Sequence, residues 1–462
     1  MSGVIGMPAP AGLVHGMGKE LVVPDWSPLT SAEVHTVLAR YPLPGSQREV
    51  RAGPGTQPGP AGLALAGDEM ITWRSPRPMS AAGLIRRGGA DLFVKRHHVR
   101  VRTPAQLAVE HAFIGHLRAR GIPAPAVLRA FNGATATQHG DFIYEVHELA
   151  GGLDLYRDAV SWTPYASLGH TRAAGAALAR LHGAADGFAW PARAPAVLTG
   201  GCGIIVAADP FAEVAGLADR RPGLAGYLDG RAWPDDLSRH VLPAIRRAAP
   251  LLAGLPRQWG HGDWHPSNLT WTSAGPDAVV AGVFDFGLAN RTFAVHDLAT
   301  ALERATVSWL DLADPDLTGP DLTGPDPAGP DPAGPDPAGP DLAGPDVGDP
   351  GLTGPDGDDL AGPGPGRAEA DLDAIDAFLD GYESVRPLTP AEAAALPEVF
   401  AVVHVEYALS EVEYFADVVS SPANADLAYD GYLLGHAAWF GGPDGAAVLD
   451  HLRRRSVQVP AL

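Results

Sequence analysis

Apolar and polar positions alternate along the N-terminal part of the chain, and their spacing changes further on. Residues 66–150 contain short runs that are apolar or alternating, namely Met70–Arg74, Ala82–Arg87, Asp91–His97 and Asp141–Leu149. A period of two predicts strands with one buried face, and Gly88-Gly89 predicts a hairpin turn between the second and third runs. One helix is predicted from Pro104 to Arg120, because Gly121 ends the helical spacing there. The pattern over 66–150 therefore predicts a small antiparallel sheet with one helix.

Helical spacing dominates the remaining chain on both sides of an interruption. Helices are predicted at Thr171–His182, Leu237–Leu255, Asp297–Leu310 (with Asp297 as N-cap), Arg367–Tyr382, Pro390–Ala416 and Leu449–Arg455, and a short strand at Val279–Phe284. Residues 311–366 instead repeat variants of Asp-Pro-Ala-Gly-Pro every five residues. Proline at that spacing excludes helices and sheet ladders, and the segment has few large apolar side chains to bury. We expect a disordered acidic insert at 311–366 that splits one helical domain into 151–310 and 367–462.

The insert allows two interpretations of its own, an acidic tether or partner-binding segment and an inert expansion, and its simple repeat favours the second. Residues 1–65 are also rich in Gly and Pro. They contain one predicted helix, Ser31–Tyr41, with Thr30 or Ser31 as its N-cap. This helix either docks against the first domain or belongs to a poorly ordered leader, and the composition favours the leader.

Composition limits the environment and the classes of partner. Cys202 is the single cysteine, which excludes an internal disulfide and a cysteine zinc site and favours a reducing, cytoplasmic setting. The N-terminus lacks a basic segment before an apolar core, and nothing approaches eighteen consecutive apolar residues, so neither a signal peptide nor a membrane partner is expected. Thirteen of the negative charges behind the net charge of −21 lie in residues 311–360. The rest is only mildly acidic, which argues against nucleic-acid binding, and nothing indicates an obligate protein partner.

Two short segments carry the groups that phosphoryl transfer requires. Residues 261–268 read His-Gly-Asp-Trp-His-Pro-Ser-Asn, and 283–287 read Val-Phe-Asp-Phe-Gly. Phosphoryl transfer depends on positioning and charge neutralisation rather than on covalent help from the protein. Asp263 can orient an acceptor hydroxyl and take its proton. Asn268 and Asp285 offer the oxygen ligands that Mg²⁺ favours.

A nucleotide-binding site also needs a cation that binds the phosphates and main-chain groups that contact the base. Lys95 ends an apolar strand and Glu110 lies on the following helix, which is how a kinase holds the α- and β-phosphates. Such residues are common, so this pair gains weight only from the motif downstream. The main chain at His147, Glu148 and Leu149, between the last strand and a glycine pair, is expected to meet adenine.

The same motif supports other interpretations. His261, Asp263 and His265 alternate, so on a strand they would share one face and could bind Zn²⁺ for hydrolysis. Pro266 would end such a strand, and Asn268 is a poor zinc ligand, which disfavours this metallohydrolase. Chance placement in a structural loop and a non-catalytic kinase-like binding module are the remaining alternatives.

Residues 261–268 followed by Phe-Asp-Phe-Gly at 284–287 resemble the aminoglycoside phosphotransferase-like (phosphotransferase enzyme) family, which includes relatives of choline kinase and homoserine kinase. The resemblance covers roughly residues 70–310 and 367–440. It implies an α+β, two-lobed protein-kinase-like fold with a small antiparallel-sheet N-lobe and a larger, mainly helical C-lobe. ATP would lie in the cleft between them, with Mg²⁺ as the second cofactor.

The family's functional residues map onto this sequence one by one. The resemblance implies Asp263 as the catalytic Asp, Asn268 and Asp285 as Mg²⁺ ligands, Lys95 as the phosphate-binding lysine and Glu110 as its helix partner. The sequence departs from the pattern at 80–83, Ser-Ala-Ala-Gly, where no Gly-x-Gly-x-x-Gly loop is present, so phosphate contacts there are unassigned. The acidic repeat is not a family feature either.

The acceptor is less sharply indicated than the reaction. The chain lacks the His-Arg-Asp and Ala-Pro-Glu signatures of protein kinases, so a small hydroxylated acceptor is expected, such as an aminoglycoside, an amino alcohol or a sugar. Glu406, Glu411 and Glu413 share one helical segment. They either line a site for a cationic or hydroxylated substrate or form a solvated face.

Overall fold

A computed structural model of the chain describes residues 14–15, 21–42, 69–309 and 368–457. The strands are β1 (Val14–His15), β2 (Leu21–Val22), β3 (Met70–Arg74), β4 (Ala81–Arg87), β5 (Ala90–His98), β6 (Ala136–His139), β7 (Phe142–Glu148), β8 (Arg257–Gly260), β9 (Leu269–Trp271), β10 (Val280–Val283), β11 (Asn290–Phe293), β12 (Val307–Ser308) and β13 (Glu369–Ala370). The helices are α1 (Ser31–Leu38), α2 (Pro104–Arg118), α3 (Leu168–Ala185), α4 (Gly203–Val206), α5 (Pro210–Arg220), α6 (Pro222–Leu228), α7 (Trp233–Asp236), α8 (Leu242–Leu252), α9 (Ala294–Thr306), α10 (Leu372–Glu383), α11 (Pro390–Phe400), α12 (Val405–Glu413), α13 (Pro422–Asp426), α14 (His436–Gly441) and α15 (Pro443–Val457). Leu237–Val241, Tyr414–Val418 and Leu427–Gly435 are π-helical, and Pro266–Asn268 is a 3-10 turn. The predicted insert at 311–366 and most of the predicted leader lie outside the described residues.

A five-stranded antiparallel sheet forms the first part of the fold, with the strand order β3-β4-β5-β7-β6. In its register Lys95 lies opposite Ala82 on β4 and opposite Glu145 on β7. Because side chains alternate across a strand, Lys95 and Glu145 share one face of the sheet with His97 and His147. Apart from α1 and α2, the helices follow the sheet in the chain, so the predicted α+β class is confirmed.

Helix α1 covers the opposite face of this sheet. A capping box between Thr30 and Glu33 fixes its start, and its apolar side chains Val34, Val37 and Leu38 are fully buried against the strands. Burying a side chain of this kind contributes about 1.5–3 kcal/mol, so these three stabilise the docked helix. The expectation of a poorly ordered leader is therefore wrong for this helix, because the sheet needs an apolar cover on that face.

The helical part has one core that contains residues from both sides of the undescribed stretch 310–367. Helices α3 and α10 approach closely through two glycines: a Cβ on Gly175 would lie 2.0 Å from the Phe378 carbonyl oxygen, and a Cβ on Gly381 would lie 1.9 Å from that of Arg172. Strands β12 and β13 also pair, with Val307 opposite Ala370. The two ends of the undescribed stretch thus lie side by side.

Several helices differ in their bounds from the prediction, among them α9 and the stretch 390–416. Helix α9 begins at Ala294, so Asp297 lies inside its first turn and is not the N-cap. The stretch predicted as one helix over 390–416 divides into α11 and α12.

By length and composition alone, Pro390–Val418 is apolar enough to cross a membrane, but 78% of its most apolar window is buried inside the protein. Such burial is typical of a core helix.

Candidate active site

Two short ladders hold the segment 261–268. Strand β8 ends at Gly260 and pairs with β11, while β9 starts at Leu269 and pairs with β10. The Phe284 amide donates to the Asn268 carbonyl at 3.1 Å, and His261 Nε2 lies 3.0 Å from the Phe284 carbonyl. These main-chain contacts bring the segment after β8 and the segment after β10 to one place.

Asp297 supports this loop from helix α9. Its carboxylate accepts hydrogen bonds from the main-chain amides of His261 and Gly262, at 2.8 and 2.6 Å, and contacts His182 Nε2 at 2.9 Å. The other ring nitrogen of His182 contacts the Tyr382 hydroxyl at 2.7 Å. Burial raises the pKa of Asp297, but these contacts outweigh burial and bring it to about 2. The sequence prediction missed this role, because a helix-start pattern also explains an Asp there.

Gly262 is required by the tight turn before Asp263. Its φ is +77°, and a Cβ would lie 2.3 Å from the Leu288 carbonyl oxygen. A side chain at this position is therefore excluded twice, by conformation and by space.

Asp263, which is partly buried, forms an ion pair with the buried Arg304, near the end of α9. Asn268 Nδ2 contacts Asp263 Oδ2 at 3.1 Å, and His265 Nε2 lies 3.5 Å from Oδ1. Burial raises the pKa of Asp263, but Arg304 and the two histidines of the motif outweigh burial and hold that pKa well below its usual range. The carboxylate is thus ionised and can accept a hydrogen bond. Sequence reasoning missed Arg304, whose only signal was a cation at an otherwise apolar helix position.

Asp285 has a left-handed backbone, with φ at +57°, which is uncommon outside glycine and clusters at functional sites. Its carboxylate contacts Lys95 Nζ at 2.8 Å. Burial raises the pKa of Asp285, but the charge of Lys95 outweighs burial and lowers it below the usual value. The sequence contains only two lysines, and the other is Lys19.

The predicted pairing of Lys95 with Glu110 is not the one that the structure contains. Glu110 is buried on α2, its nearest cation is Arg193 at 3.9 Å, and its Oε2 atom has no hydrogen-bond partner among the described residues. Burial lowers the pKa of Lys95, but nearby carboxylates raise it above its usual value. Asp285 and Glu145 contribute most to this rise, and Glu110 contributes less. The nearer Asp285 carboxylate takes the direct contact.

The predicted adenine edge lies at the end of β7. The Glu148 amide donates to the Ala126 carbonyl at 2.9 Å, and the buried His147 ring contacts Glu145 at 3.0 Å. Leu149 is exposed. The main-chain amide of Glu148 is therefore already used, and adenine contacts by this segment stay a prediction.

The histidines of the motif are poorly placed for zinc. His261 Nδ1 accepts from the Asp263 amide at 3.2 Å, and its Nε2 faces a main-chain carbonyl, so both ring nitrogens are occupied. The ring packs against Trp264 and Phe286. This geometry disfavours the metallohydrolase that uses His261, Asp263 and His265.

The three glutamates of α12 have different surroundings. Glu406 accepts from the Ile204 amide at 2.6 Å, and Glu413 pairs with Arg221. Glu411 is buried, and its Oε2 atom has no partner among the described residues. Burial raises the pKa of Glu411 to about 8, and Arg304 opposes this only in part. Glu411 is thus the member of this group that lies within electrostatic range of Asp263.

Arg77 is a further residue that the sequence prediction missed. It lies on the turn between β3 and β4, where a nucleotide loop was expected, and its Nη1 donates to the Ala159 carbonyl at 2.6 Å. Burial lowers the pKa of Arg77, and the charges of Asp154, Asp285 and Asp263 oppose this. The Arg77 guanidinium is thus partly buried and within electrostatic range of Asp285 and Asp263.

The chain is similar in sequence to known proteins. The chain is 31% identical to an uncharacterised protein of Deinococcus radiodurans over 255 residues, which are 52% of this chain and 66% of that protein. It is 28% identical to a homoserine kinase of Acidiphilium cryptum over 201 residues, which are 43% of this chain and 53% of that kinase. The chain thus spans less than two thirds of either relative.

Among solved structures, a microcompartment-associated aminopropanol kinase superposes with a TM-score of 0.50 and 16% identity, over 82% of this chain and 94% of that one. This likeness confirms the predicted two-lobed, kinase-like fold. The model of the phosphotransferase enzyme family matches residues 84–328, which are more than half of the 462 residues. The chain therefore belongs to the phosphotransferase enzyme family.

Proposed function

We propose that this protein transfers the γ-phosphoryl group of ATP to a hydroxyl of a small molecule, with Mg²⁺ as the metal cofactor. One observation supports this most: Asn268 lies 3.1 Å from Asp263, Lys95 lies 2.8 Å from Asp285, and the Phe284–Asn268 main-chain hydrogen bond joins the two segments that carry these pairs. These side chains come from sequence positions up to 190 residues apart. Their types are those that phosphoryl transfer requires.

The side chains fit Mg²⁺. Asp285 is ionised, and Asn268 uses its amide nitrogen toward Asp263, which leaves its amide oxygen facing away from that contact. Hard oxygen donors of this kind suit Mg²⁺ better than they suit softer metals. Asn268 and Asp285 would hold the ion, which would neutralise charge on the phosphates.

The protein's own groups have separate roles in this proposal. Lys95, and Arg77 from the sheet side, would bind phosphate oxygens. Asp263 would accept a hydrogen bond from the acceptor hydroxyl and take its proton as that oxygen bonds to the γ-phosphorus and the bond to ADP breaks. Arg304 keeps Asp263 ionised and fixes its orientation, while Asp297 holds the main chain of the loop.

We further propose that the acceptor carries an amine as well as a hydroxyl. The support is Glu411, a buried carboxyl with an unpartnered oxygen among the described residues and within electrostatic range of Asp263. A cationic amine would supply the missing charge and hydrogen bond. Homoserine, in the name of one relative, carries both groups. Aminoglycosides and amino alcohols are therefore better candidates than neutral sugars.

Two measurements test the proposal. The first is thermal unfolding with millimolar ATP, with and without Mg²⁺, since a ligand of the folded state raises the melting temperature. The second is release of ADP over a panel of aminoglycosides, amino alcohols and sugars, with Asp263→Asn as the inactive control. No stabilisation by Mg²⁺-ATP would contradict the kinase assignment. Turnover of neutral sugars alone would contradict only the amine.

A further inference from the structure

Three histidines surround the buried carboxylate of Glu145. His97 Nε2 lies 2.8 Å from Glu145 Oε1, and His111 Nε2 and His147 Nε2 lie 2.7 and 3.0 Å from Glu145 Oε2. All four residues are buried. The ligand atoms of His111, Glu145 and His147 lie within 4.8 Å of one another.

The four side chains come from three rigid elements. His97 is on β5, Glu145 and His147 are on β7, and His111 is on α2. The two residues on β7 are two positions apart, so they point to the same face, and α2 lies over that face. The cluster is therefore fixed by the sheet register and by one helix rather than by a loop.

We propose that His111, Glu145 and His147 form a binding site for a divalent transition-metal ion such as Zn²⁺, with His97 orienting the Glu145 carboxylate through its other oxygen. Two imidazoles and one carboxylate are a donor set for zinc and its neighbours, whereas Mg²⁺ favours oxygen ligands alone. Zinc binds such atoms at about 2.0–2.2 Å, so tetrahedral ligand atoms are roughly 3.3 Å apart. His111 and His147 lie 2.7 and 3.0 Å from Glu145 Oε2, so small side-chain shifts admit an ion.

The charges around the cluster do not exclude a cation. Glu145 and the adjacent Glu110 are negative, while Lys95, Arg102 and Arg129 are positive. Each ligating imidazole would give its Nε2 lone pair to the ion and keep its ring proton on Nδ1, and the Glu145 carboxylate would offset one of the two added positive charges. The cluster is distinct from the site proposed for Mg²⁺, which uses Asn268 and Asp285.

An ion at this site would tie α2 to the sheet. Helix α2 also carries Glu110, the residue immediately before His111, and Lys95 lies directly opposite Glu145 in the sheet. Fixing His111 therefore fixes the distance between Glu110 and the phosphate-binding lysine proposed above. The link to Lys95 rests on the proposed function, whereas binding of the ion does not.

The test is titration of the full-length, metal-depleted protein with Zn²⁺, and with Co²⁺ as a spectroscopic probe, in the absence of nucleotide. We expect one equivalent per chain, visible Co²⁺ absorption bands and a higher melting temperature. His111→Gln and Glu145→Gln should abolish all three. His116→Gln is the matched control, because His116 lies on the same helix and contacts a main-chain carbonyl instead.

Three outcomes would overturn the site. One is the absence of stoichiometric binding to the unaltered chain. Another is binding that survives in His111→Gln. The third is binding lost in His436→Gln but kept in His111→Gln, which would assign the ion to Glu303, His404 and His436, the other such group among the described residues. Because the wild-type Co²⁺ spectrum needs no variant, the site is testable even if Glu145→Gln does not fold. Failure of ATP turnover would not affect any of these results.

Discussion

The buried Arg304 forms an ion pair with Asp263, although 41 positions separate them in the sequence. The guanidinium also lies over the rings of Trp162 and Tyr407, at 5.1 and 4.9 Å, and so has a fixed place. The residue expected to take the acceptor's proton is thus held by a helix that follows both halves of the sequence motif.

The pair should be coupled in stability. Asp263→Asn leaves the buried charge of Arg304 unpaired, which costs roughly 3–5 kcal/mol, and Arg304→Gln should cost less because the Asp263 charge left behind is partly exposed. The double variant removes both charges, so its loss of unfolding free energy should be smaller than the sum of the two single losses. Urea unfolding of the four proteins measures this coupling. Additive losses would mean that the pair contributes nothing.

Asp263→Asn should also lower turnover by about 10²- to 10⁴-fold while nucleotide binding persists.

Arg304→Gln should change the pH dependence of turnover. In the native protein the pKa of Asp263 is held well below its usual range, so the carboxylate stays ionised under mildly acidic conditions. Without Arg304, burial dominates and raises that pKa. Activity should then be lost at a higher pH as the pH falls, and a pH profile of kcat/KM measures the shift. Arg247→Gln, a helical-lobe arginine paired with Glu398, is the control and should keep the native profile.

Lys95 should be protected from amine-reactive reagents by Mg²⁺-ATP. Since Lys19 is the only other lysine, mass spectrometry can assign all side-chain labelling to two sites. Burial lowers the pKa of Lys95, but Asp285, Glu145 and Glu110 raise it above its usual value, so labelling should be slow. Lys95→Met should weaken nucleotide binding and Lys19→Met should not. Equal labelling of Lys95 with and without nucleotide would remove it from the phosphate site.

Glu411 should make the ligand-free protein less stable as the pH rises. Its pKa is about 8 in the folded protein, above the usual 4.5, so its contribution to stability is complete below about pH 4.5 and is lost up to about pH 8. One such group changes the unfolding free energy by up to about 1.4 kcal/mol per pH unit. Glu411→Gln should reduce this slope and raise KM for amine-bearing acceptors.

The control for that measurement is Glu398→Gln, because Glu398 is already paired with Arg247 and Arg453. It should keep the native slope. A native slope in Glu411→Gln as well would assign the pH dependence to another group, such as Glu406, whose pKa burial raises to about 7.

Deletion of residues 313–364 should leave the melting temperature and nucleotide binding unchanged. Val307 lies opposite Ala370, so the chain leaves and re-enters the fold at one point. The Trp439 indole also donates to the Ala368 carbonyl at 3.1 Å and fixes the return. A longer deletion, 307–370, removes both strands and should lower the melting temperature. A large drop with the shorter deletion would show that the repeat packs against the fold.

The sequence was most informative where local spacing decides structure. The strands β3, β4, β5 and β7 were predicted to within about a residue at each end, because alternation and glycine turns act locally. The motif identified Asp263, Asn268 and Asp285 because the chemistry needs those types at that spacing. Their roles stay predictions until variants are measured.

Contacts between distant segments were not predictable in the same way. Asp297 looked like a helix N-cap, yet its partners are main-chain amides 35 and 36 positions earlier. Glu110 was expected to hold Lys95, yet Asp285, 190 positions away, makes the contact. The docking of α1 depends on an apolar face that forms only when the distant strands of the sheet come together.

Tyr382 makes the loop at 261–268 depend on a part of the chain that is synthesised later. The contacts from Tyr382 through His182 to Asp297 join the loop to a helix that is synthesised only after the whole acidic repeat. A ribosome that stops within the repeat releases a chain with every predicted site residue but without this support. The loop can therefore mature only late in translation. The same arrangement makes the repeat a natural place to divide the protein into two fragments that would have to reassemble before they could act.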